Sequence, residues 1–303
     1  MIKILQGNCL DVLKDLPEQS VNTCITSPPY WGLRDYQEEE QLGLEDTPEE
    51  FVESLVKVFR EVKRVLRDDG TVWLNLGDTY SATRWSNTPS TTGISQSHSD
   101  IVLQKKTKLP DKNLVGIPWR VAFALQADGW YLRQDIIWHK PSPMPESVKD
   151  RCTKAHEYIF LLSKNAKYYF DIEAIKEDAI GNNPGNKNPH KHKGQPFSEV
   201  KNNIDKISAV IKRNKRSVWT VTTKPFKGAH FATFPPDLIE PCVLAGCPEG
   251  GTVLDPFGGA GTTGLVAQQN NRDSILIELN PDYIEIAKER LNNDAPLFNE
   301  VVA

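Results

Sequence analysis

The four residues Ser27-Pro28-Pro29-Tyr30 are the clearest sign of chemistry in this chain. They follow the apolar run 21–26, which is typical of a strand, and two consecutive prolines must end it because they lack N–H donors and fix φ. The carbonyl oxygens of such a segment are free to accept hydrogen bonds. With a hydroxyl before the prolines and the Tyr30 ring after them, the segment would suit a flat heterocycle that bears an amino group. Taken alone, such a motif is more often a proline-rich strand exit packed by aromatic side chains.

A glycine-rich turn in the last quarter of the chain is the second sign. It belongs to a unit made, in order, of a strand at 252–254, the turn Asp255-Pro256-Phe257-Gly258-Gly259-Ala260-Gly261-Thr262-Thr263-Gly264, a helix from about Thr263, a strand at 274–277 and the acid Glu278. This order is the outline of a nucleoside site, because glycines let the backbone approach a ligand and a helix start offers N–H groups. The acid could take ribose hydroxyls. Asp255 could hold a cation, such as the ammonium of a methionine moiety.

The same turn also satisfies G-x-G-x-x-G through Gly259, Gly261 and Gly264, a pattern that dinucleotide-dependent dehydrogenases share. Asp255 before the turn, and the place of the unit late in the chain, disfavour that interpretation.

The elements that would position these residues alternate between strands and helices. A helix from Thr47 begins with a capping box to Glu50, continues with apolar residues at helical spacing, and is expected to stop at Gly70. Further strands are predicted at 71–76, 131–138 and 158–162, and further helices at 118–127, from about residue 235 and at 281–291. This alternation predicts an α/β fold with a mostly parallel twisted sheet and helices on both faces.

Composition is that of an ordinary globular protein, with 303 residues, 39% hydrophobic content and a net charge of −4. No apolar run approaches the roughly 20 residues that a membrane helix needs. The five cysteines lack CxxC spacing, so neither a disulfide framework nor a metal site is predicted. Cys24 and Cys242 are expected in the core.

Two irregular stretches interrupt the alternation. Residues 81–111 are predicted to be a long loop, and loops of this length are usually functional or disordered. Residues 181–216 are predicted to be an insertion outside the sheet, which leaves 1–180 and 217–303 as the main domain. In the range 187–227, eleven basic residues are opposed by two acids, which indicates either a phosphate-binding surface or a solvated charge run.

Taken together, these segments resemble the β-class DNA amino-methyltransferases. Three stretches carry the likeness. The first, Thr26-Ser27-Pro28-Pro29-Tyr30-Trp31, resembles their catalytic motif, and the second, residues 255–262, resembles their S-adenosylmethionine loop. The third, Ile277-Glu278-Leu279-Asn280, resembles the end of their ribose-binding strand. The order, with the catalytic motif first and the cofactor loop last, is typical of that class. One departure is Asn8, where many members carry an aspartate.

The resemblance implies a Rossmann-like methyltransferase fold in permuted order. It also implies transfer of a methyl group from S-adenosylmethionine to the exocyclic amine of a base flipped out of duplex DNA. Tyr30 would stack on the base, while the Ser27 hydroxyl and the Pro28 carbonyl would accept the two amino hydrogens. The expected catalytic residues are Ser27, Pro28, Pro29 and Tyr30. The expected cofactor-binding residues are Thr233, Phe234, Asp255, Pro256, Phe257, Gly258, Gly259, Gly261, Thr262, Thr263, Glu278 and Asn280.

The insertion 181–216 is expected to recognise the target sequence, and the loop 81–111 could also contact DNA. The expected DNA-binding side chains are Arg34, Lys212, Arg213, Lys215 and Arg216, although Arg34 could equally pair with Asp35 at the surface. The protein would act on double-stranded DNA as a monomer or homodimer, without a membrane or a metal. It would work in the cytoplasm at the nucleoid, and could accompany a restriction endonuclease.

Four alternatives stay open at this stage. Serine before Pro-Pro-Tyr is associated in the family more often with N4 of cytosine, and Asp or Asn with N6 of adenine, so cytosine is the prediction and adenine the alternative. RNA or a protein amide could replace DNA, although the basic insertion disfavours the amide. A nicotinamide-dependent oxidoreductase and an inactive DNA-binding module are the other two. A C5-cytosine methyltransferase would need a nucleophilic Pro-Cys, but Pro241-Cys242 lies in an apolar helical pattern.

Overall fold

The computed structural model describes residues 1–32, 38, 40–81, 107–179, 212–223 and 234–294, and the backbone of 301 and 302. Arg34, Thr233, and most of the predicted loop at 81–111 and insertion at 181–216 lie outside the described residues.

Strands and helices alternate through most of the described chain. The strands are β1 (Ile2–Gln6), β2 (Val21–Thr26), β3 (Leu66–Leu76), β4 (Tyr131–His139), β5 (His156–Ser163), β6 (Glu177–Asp178), β7 (Lys212–Arg213), β8 (Val218–Thr220), β9 (Thr252–Asp255), β10 (Asp273–Glu278) and β11 (Val301–Val302). The helices are α1 (Cys9–Asp15), α2 (Pro48–Val65), α3 (Ile117–Ala127), α4 (Pro236–Gly246), α5 (Thr262–Gln269) and α6 (Pro281–Asp294).

One large sheet organises the fold, with the strand order β11-β1-β10-β9-β2-β3-β5-β4-β8. Its neighbouring strands are parallel except where β5 pairs with β3 and with β4. The prediction of a mostly parallel α/β sheet is therefore confirmed. Because parallel strands end at one edge, the carboxyl ends of β1, β2, β9 and β10 meet there, and this edge is where open α/β sheets bind ligands.

Helices cover both faces of the sheet. Leu276 and Ile277 are successive residues of β10 and therefore point to opposite faces. Ile277 belongs to the main apolar cluster, which includes side chains of α1, α2 and α3, whereas Leu276 packs with residues of α5 and α6. The two clusters hold the strand ends that form the site.

The start of helix α2 is as predicted, but its end is not. The Thr47 hydroxyl accepts the Glu50 N–H and the Glu50 carboxylate accepts the Thr47 N–H, which completes the capping box. The helix ends at Val65 and not at Gly70. Leu66 already pairs with Val21 of β2, so pairing in the sheet overrides the helical pattern. Strand β1, helix α1 and strand β8 had no prediction.

The chain divides into a larger unit, 1–171 with 217–303, and a smaller unit, 172–216. The sheet lies in the larger unit. The smaller unit contains the antiparallel ladder of β6 and β7, in which Glu177 pairs with Arg213. Its role in target recognition stays a prediction. Among the described helices, none combines the length and hydrophobicity of a membrane span.

Candidate active site

One cavity of about 210 Å³ brings the two predicted motifs together in the larger unit. Thr26 and Asp255, 229 positions apart, are joined by a hydrogen bond beside it. The predicted residues that line it are Ser27, Pro28, Pro29, Tyr30, Phe234, Asp255, Pro256, Phe257, Gly258, Gly259, Thr262, Glu278 and Asn280. The strand-end geometry therefore assembles residues that are far apart in sequence.

Asp255 ends strand β9 and is a buried carboxylate, only 2% exposed, on the cavity wall. Its Oδ1 accepts hydrogen bonds from the Thr26 hydroxyl at 2.6 Å and the Phe257 N–H at 3.0 Å, and its Oδ2 accepts one from the Thr263 hydroxyl at 2.6 Å. Burial raises the pKa of this carboxyl, and the three donors act against the rise. Among the described residues that line the cavity, none is basic, so a cationic group of a ligand would meet an uncompensated carboxylate.

Glu278 ends strand β10 and presents a second carboxylate to the cavity. Its Oε2 accepts the Gly259 N–H at 2.8 Å, and its Oε1 accepts the Asn280 N–H at 2.9 Å. Burial raises the pKa of Glu278 as well. Because a carboxylate has about four lone-pair positions, both oxygens can still accept hydroxyl groups of a ligand. A pair of ribose hydroxyls matches that capacity.

Ser27 and Pro28 line the cavity with acceptor oxygens that no described residue uses. Neither the Ser27 hydroxyl nor the Pro28 carbonyl accepts a hydrogen bond within the described chain. Both therefore stay free for the donors of a ligand, as the proline-rich motif predicts. An amino group carries two such donors.

The Tyr30 ring lies against Gly77, at the end of β3. A Cβ placed on Gly77 would approach Cε2 of Tyr30 to 2.5 Å, so only glycine leaves room for the ring in this position. The Tyr30 hydroxyl donates to Oε2 of Glu157 at 2.8 Å. The ring is thus confined beside Cδ2, Cε2 and Cζ and held at its hydroxyl end.

Two predicted cofactor residues, Gly261 and Thr263, are not among the described residues that line the cavity. Thr263 lies behind the turn and donates to Asp255. Gly261 has a φ of 75°, and a Cβ there would lie 3.0 Å from that of Ala287, so glycine allows α5 to pack on α6. We therefore propose that both residues shape the turn from behind.

Sequence reasoning missed several residues at the site. Arg290 donates to the Ala260 carbonyl at 3.1 Å and to the Thr262 hydroxyl at 2.8 Å, which braces the turn from α6. Its only signal is a basic residue in an amphipathic helix, and that signal is not specific. Further cavity residues without a predicted role are Gly7, Asn8, Cys9, Leu10, Glu38, Glu40, Gln41, Leu42, Ala260, Ile277, Leu279 and Tyr283.

Asn8, the departure from the family pattern, caps helix α1 by accepting the Leu10 N–H at 2.9 Å. Its Nδ2 donates to Oε2 of Glu40 at 3.2 Å. An aspartate in this place could not donate to Glu40, so the amide suits the acidic segment beside it. Cys9, next to it, has a pKa raised by burial to about 12, which argues against a thiolate nucleophile in the cavity.

The described DNA-binding candidates lie at the end of the smaller unit, and three of them are paired with acids. Lys212 contacts Asp178 at 2.6 Å, while Arg213 and Arg216 both contact Glu177, at 2.9 and 2.6 Å. Their binding to phosphate stays a prediction, and such pairs would have to exchange partners on DNA. Arg34 and Thr233 lie outside the described residues.

Cys24 and Cys242 are fully buried, as expected for core residues. Among the described residues, no group of His, Cys, Asp and Glu has the arrangement of a metal site.

Comparisons with known proteins agree on one family. Residues 21–289 match the N6/N4 methylase family model, described as DNA methylase. The chain is 48% identical to the type II methyltransferase M.Cfr9I of Citrobacter freundii, over 96% of this chain and 88% of that protein. It is 45% identical to M.SmaI of Serratia marcescens, over 95% of this chain and 90% of that protein.

Two solved structures share the fold. The cytosine-N4-specific PvuII DNA methyltransferase superposes with a TM-score of 0.64 at 19% identity, covering 99% of this chain and 87% of that one. A candidate DNA modification methylase of Thermus thermophilus, in complex with S-adenosyl-L-methionine, superposes with a TM-score of 0.62 at 25% identity, covering all of both chains.

Proposed function

This chain belongs to the DNA methylase family, in the β class of amino-methyltransferases, and on that premise we propose that it methylates N4 of cytosine in duplex DNA. The family establishes the coarser statement, that the protein is a type II, S-adenosylmethionine-dependent DNA methyltransferase. The pair of unused acceptors, the Ser27 hydroxyl and the Pro28 carbonyl, beside the buried carboxylate of Asp255 supports an exocyclic amine as the target, and the serine at position 27 carries the choice of cytosine.

The cavity fits S-adenosylmethionine in charge and in hydrogen-bonding groups. When bound, this cofactor supplies a methyl carbon activated by a sulfonium. We assign Asp255 to the methionine ammonium, since its carboxylate faces a cavity without described basic residues. We assign Glu278 to the ribose hydroxyls, because the N–H groups of Gly259 and Asn280 fix its oxygens toward the cavity.

The amine of the target base would be held by neutral acceptors. Its lone pair is delocalised into the ring, and hydrogen bonds from both amino hydrogens favour a nitrogen whose lone pair points out of the ring plane. Ser27 and Pro28 provide one acceptor each, and Tyr30 provides the face on which the ring stacks. Positioning of this kind is worth about 7–11 kcal/mol in well-oriented systems.

The base must leave the duplex for this contact, because an amine inside the stack cannot reach a cavity wall. Extrusion costs a few kcal/mol, which stacking on Tyr30 would offset in part, since stacking on an aromatic side chain is worth about 1–3 kcal/mol per base.

We prefer cytosine to adenine because a serine, Ser27, precedes Pro-Pro-Tyr. In the family, serine at this position is associated more often with cytosine, and aspartate or asparagine with adenine. A hydroxyl accepts a hydrogen bond less strongly than a carboxylate does. The alternative, N6 of adenine, uses the same acceptors and the same stacking face, so only the product distinguishes them.

The identity of the product tests the proposal. Unmethylated bacteriophage λ DNA is incubated with the enzyme and isotopically labelled S-adenosylmethionine, digested to nucleosides and analysed by mass spectrometry. We expect the label in N4-methyl-2′-deoxycytidine. Label found only in N6-methyl-2′-deoxyadenosine would mean that the target base is adenine and not cytosine. Label in neither nucleoside would overturn the proposal.

The biological setting follows from the same premise. We propose that methylation protects the sites of a partner restriction endonuclease, in keeping with the type II names of the relatives. The predicted insertion at 181–216, which falls in the smaller unit, is our candidate for reading the target sequence.

A further inference from the structure

We propose that Glu157 is a positioning residue for methyl transfer, which together with Lys140 fixes the ring of Tyr30 in the plane on which the target base stacks. The inference rests on the proposed function and adds to it a group that touches neither cofactor nor base. Neither Glu157 nor Lys140 is among the described residues that line the cavity, so both would act through Tyr30.

The first observation is the hydrogen bond from the Tyr30 hydroxyl to Oε2 of Glu157, at 2.8 Å, with Oδ1 of Asn75 as a more distant second acceptor at 3.3 Å. The other oxygen of Glu157, Oε1, forms an ion pair with Nζ of Lys140. The side chains of these two residues are only 15% and 19% exposed. A largely desolvated ion pair of this kind adds little net stability, so stability alone is a weak explanation for it.

The second observation is that the carboxylate itself is held from other directions. Nδ2 of Asn75 donates to Oε2 of Glu157 at 3.3 Å and to the Tyr158 carbonyl at 3.0 Å, which ties it to strand β5. Nζ of Lys140 lies 4.2 Å from the centre of the Trp138 ring. Because these groups belong to β3, β4 and β5, the acceptor for Tyr30 is anchored in the rigid sheet.

The third observation is that the ring has little freedom where it meets Gly77. Gly77 leaves no room for a Cβ beside the ring, since such an atom would lie 2.5 Å from Cε2, 3.0 Å from Cδ2 and 3.1 Å from Cζ of Tyr30. With Cδ2, Cε2 and Cζ against Gly77 and its hydroxyl on Glu157, the ring is confined at two places. An error of about 1 Å in such a surface can cost about 100-fold in rate, which is why a positioning group matters.

A double-mutant cycle tests this coupling. Single-turnover methyl transfer to unmethylated bacteriophage λ DNA is measured for wild type, Tyr30→Phe, Glu157→Ala and the double variant, with the affinity for S-adenosylmethionine as a second readout. We expect Tyr30→Phe to lower the rate about 10-fold and Glu157→Ala to lower it by up to that amount, because the Tyr30 hydroxyl can still donate to Asn75 when Glu157 is removed. The double variant should be no slower than Tyr30→Phe, because that substitution already removes the hydroxyl that Glu157 holds. Cofactor affinity should not change.

Three further variants separate positioning from folding. Glu157→Gln keeps an acceptor oxygen and should restore most of the rate, whereas Gly77→Ala should slow transfer by displacing the ring, since Gly77 has no positive φ that would itself exclude alanine. Glu49→Ala, which removes an exposed ion pair with Arg120, is the matched control and should behave as wild type.

Rates that multiply in the double variant to about 100-fold would overturn the positioning role while leaving the proposed function intact. So would a Glu157→Ala variant with the wild-type rate. If the wild-type enzyme transferred no methyl group to DNA, both the proposed function and this inference would fail.

Discussion

Tyr30→Ala is expected to lower methyl transfer by at least about 100-fold while the affinity for S-adenosylmethionine stays at the wild-type level. The substitution removes the stacking face for the base, but it leaves the carboxylates of Asp255 and Glu278 and the turn that holds them unchanged. Single-turnover transfer to DNA and calorimetric titration with the cofactor measure the two quantities separately.

Tyr30→Phe is the matched control for this prediction, because it keeps the ring and removes only the hydroxyl. We expect it to fall between wild type and Tyr30→Ala. Loss of cofactor binding in Tyr30→Ala, with a correctly folded protein by thermal melting, would contradict the assigned role of the ring.

The second large effect is expected for Asp255→Asn, which should weaken binding of S-adenosylmethionine by about 10- to 150-fold, since a hydrogen bond to a charged group is worth about 1.5–3 kcal/mol. The amide is of similar shape and can still accept from the Thr26 hydroxyl and the Phe257 N–H through one oxygen, so we expect the fold to persist. Calorimetric titration at pH 8 provides the comparison.

The pH dependence of the same titration identifies the charge as the cause. Burial raises the pKa of Asp255, so on acidification the wild-type carboxylate takes up a proton, and loses its attraction for an ammonium, at a higher pH than an ordinary aspartate does. The affinity of the wild-type enzyme for S-adenosylmethionine should therefore fall on acidification toward that of Asp255→Asn. The affinity of the variant retains only the pH dependence due to Glu278. Equal affinities at pH 8 would contradict the assignment.

The contribution of Asp255 to the stability of the ligand-free protein should change with pH in the opposite direction. Because the folded state binds the proton of Asp255 more tightly than the unfolded chain does, its contribution to stability is present at low pH. That contribution is lost as the pH rises through the raised pKa.

The sequence predicts the parts of this fold that local patterns determine. The capping box at Thr47, the prolines at 28 and 29 and the glycines of the cofactor turn each constrain the backbone by themselves, so the helix start, the strand end and the turn that they mark are predicted close to where they are observed. Strand β1 and helix α1 were missed because five and seven residues give too little periodicity. Helix α2 was extended too far because its end depends on pairing of Leu66 with Val21 across the sheet.

The residues of the site fall into the same two groups, those that local patterns reveal and those that depend on contacts across the fold. Motif residues such as Ser27, Asp255 and Glu278 could be found from sequence, because their chemistry is concentrated in short segments. Groups that act from a distance could not, since Glu157 reaches Tyr30 from a strand 127 positions later in the chain and Arg290 reaches the turn from the last helix. Glu157 lies in a stretch, His156-Glu157-Tyr158, that resembles the family, but neither residue belongs to the two motifs whose chemistry can be read locally.

The central claim is that the Ser27–Tyr30 segment holds the amine of an extruded cytosine beside the cofactor cavity. The most direct measurement is a crystal structure of the enzyme with sinefungin, a non-reactive cofactor analogue, and an unmethylated duplex that contains the site mapped by nucleoside analysis and sequencing. We predict an extruded cytosine stacked on Tyr30, with its N4 within hydrogen-bond distance of both the Ser27 hydroxyl and the Pro28 carbonyl. A target base still stacked in the duplex, or one whose amine contacts neither oxygen, would contradict the account.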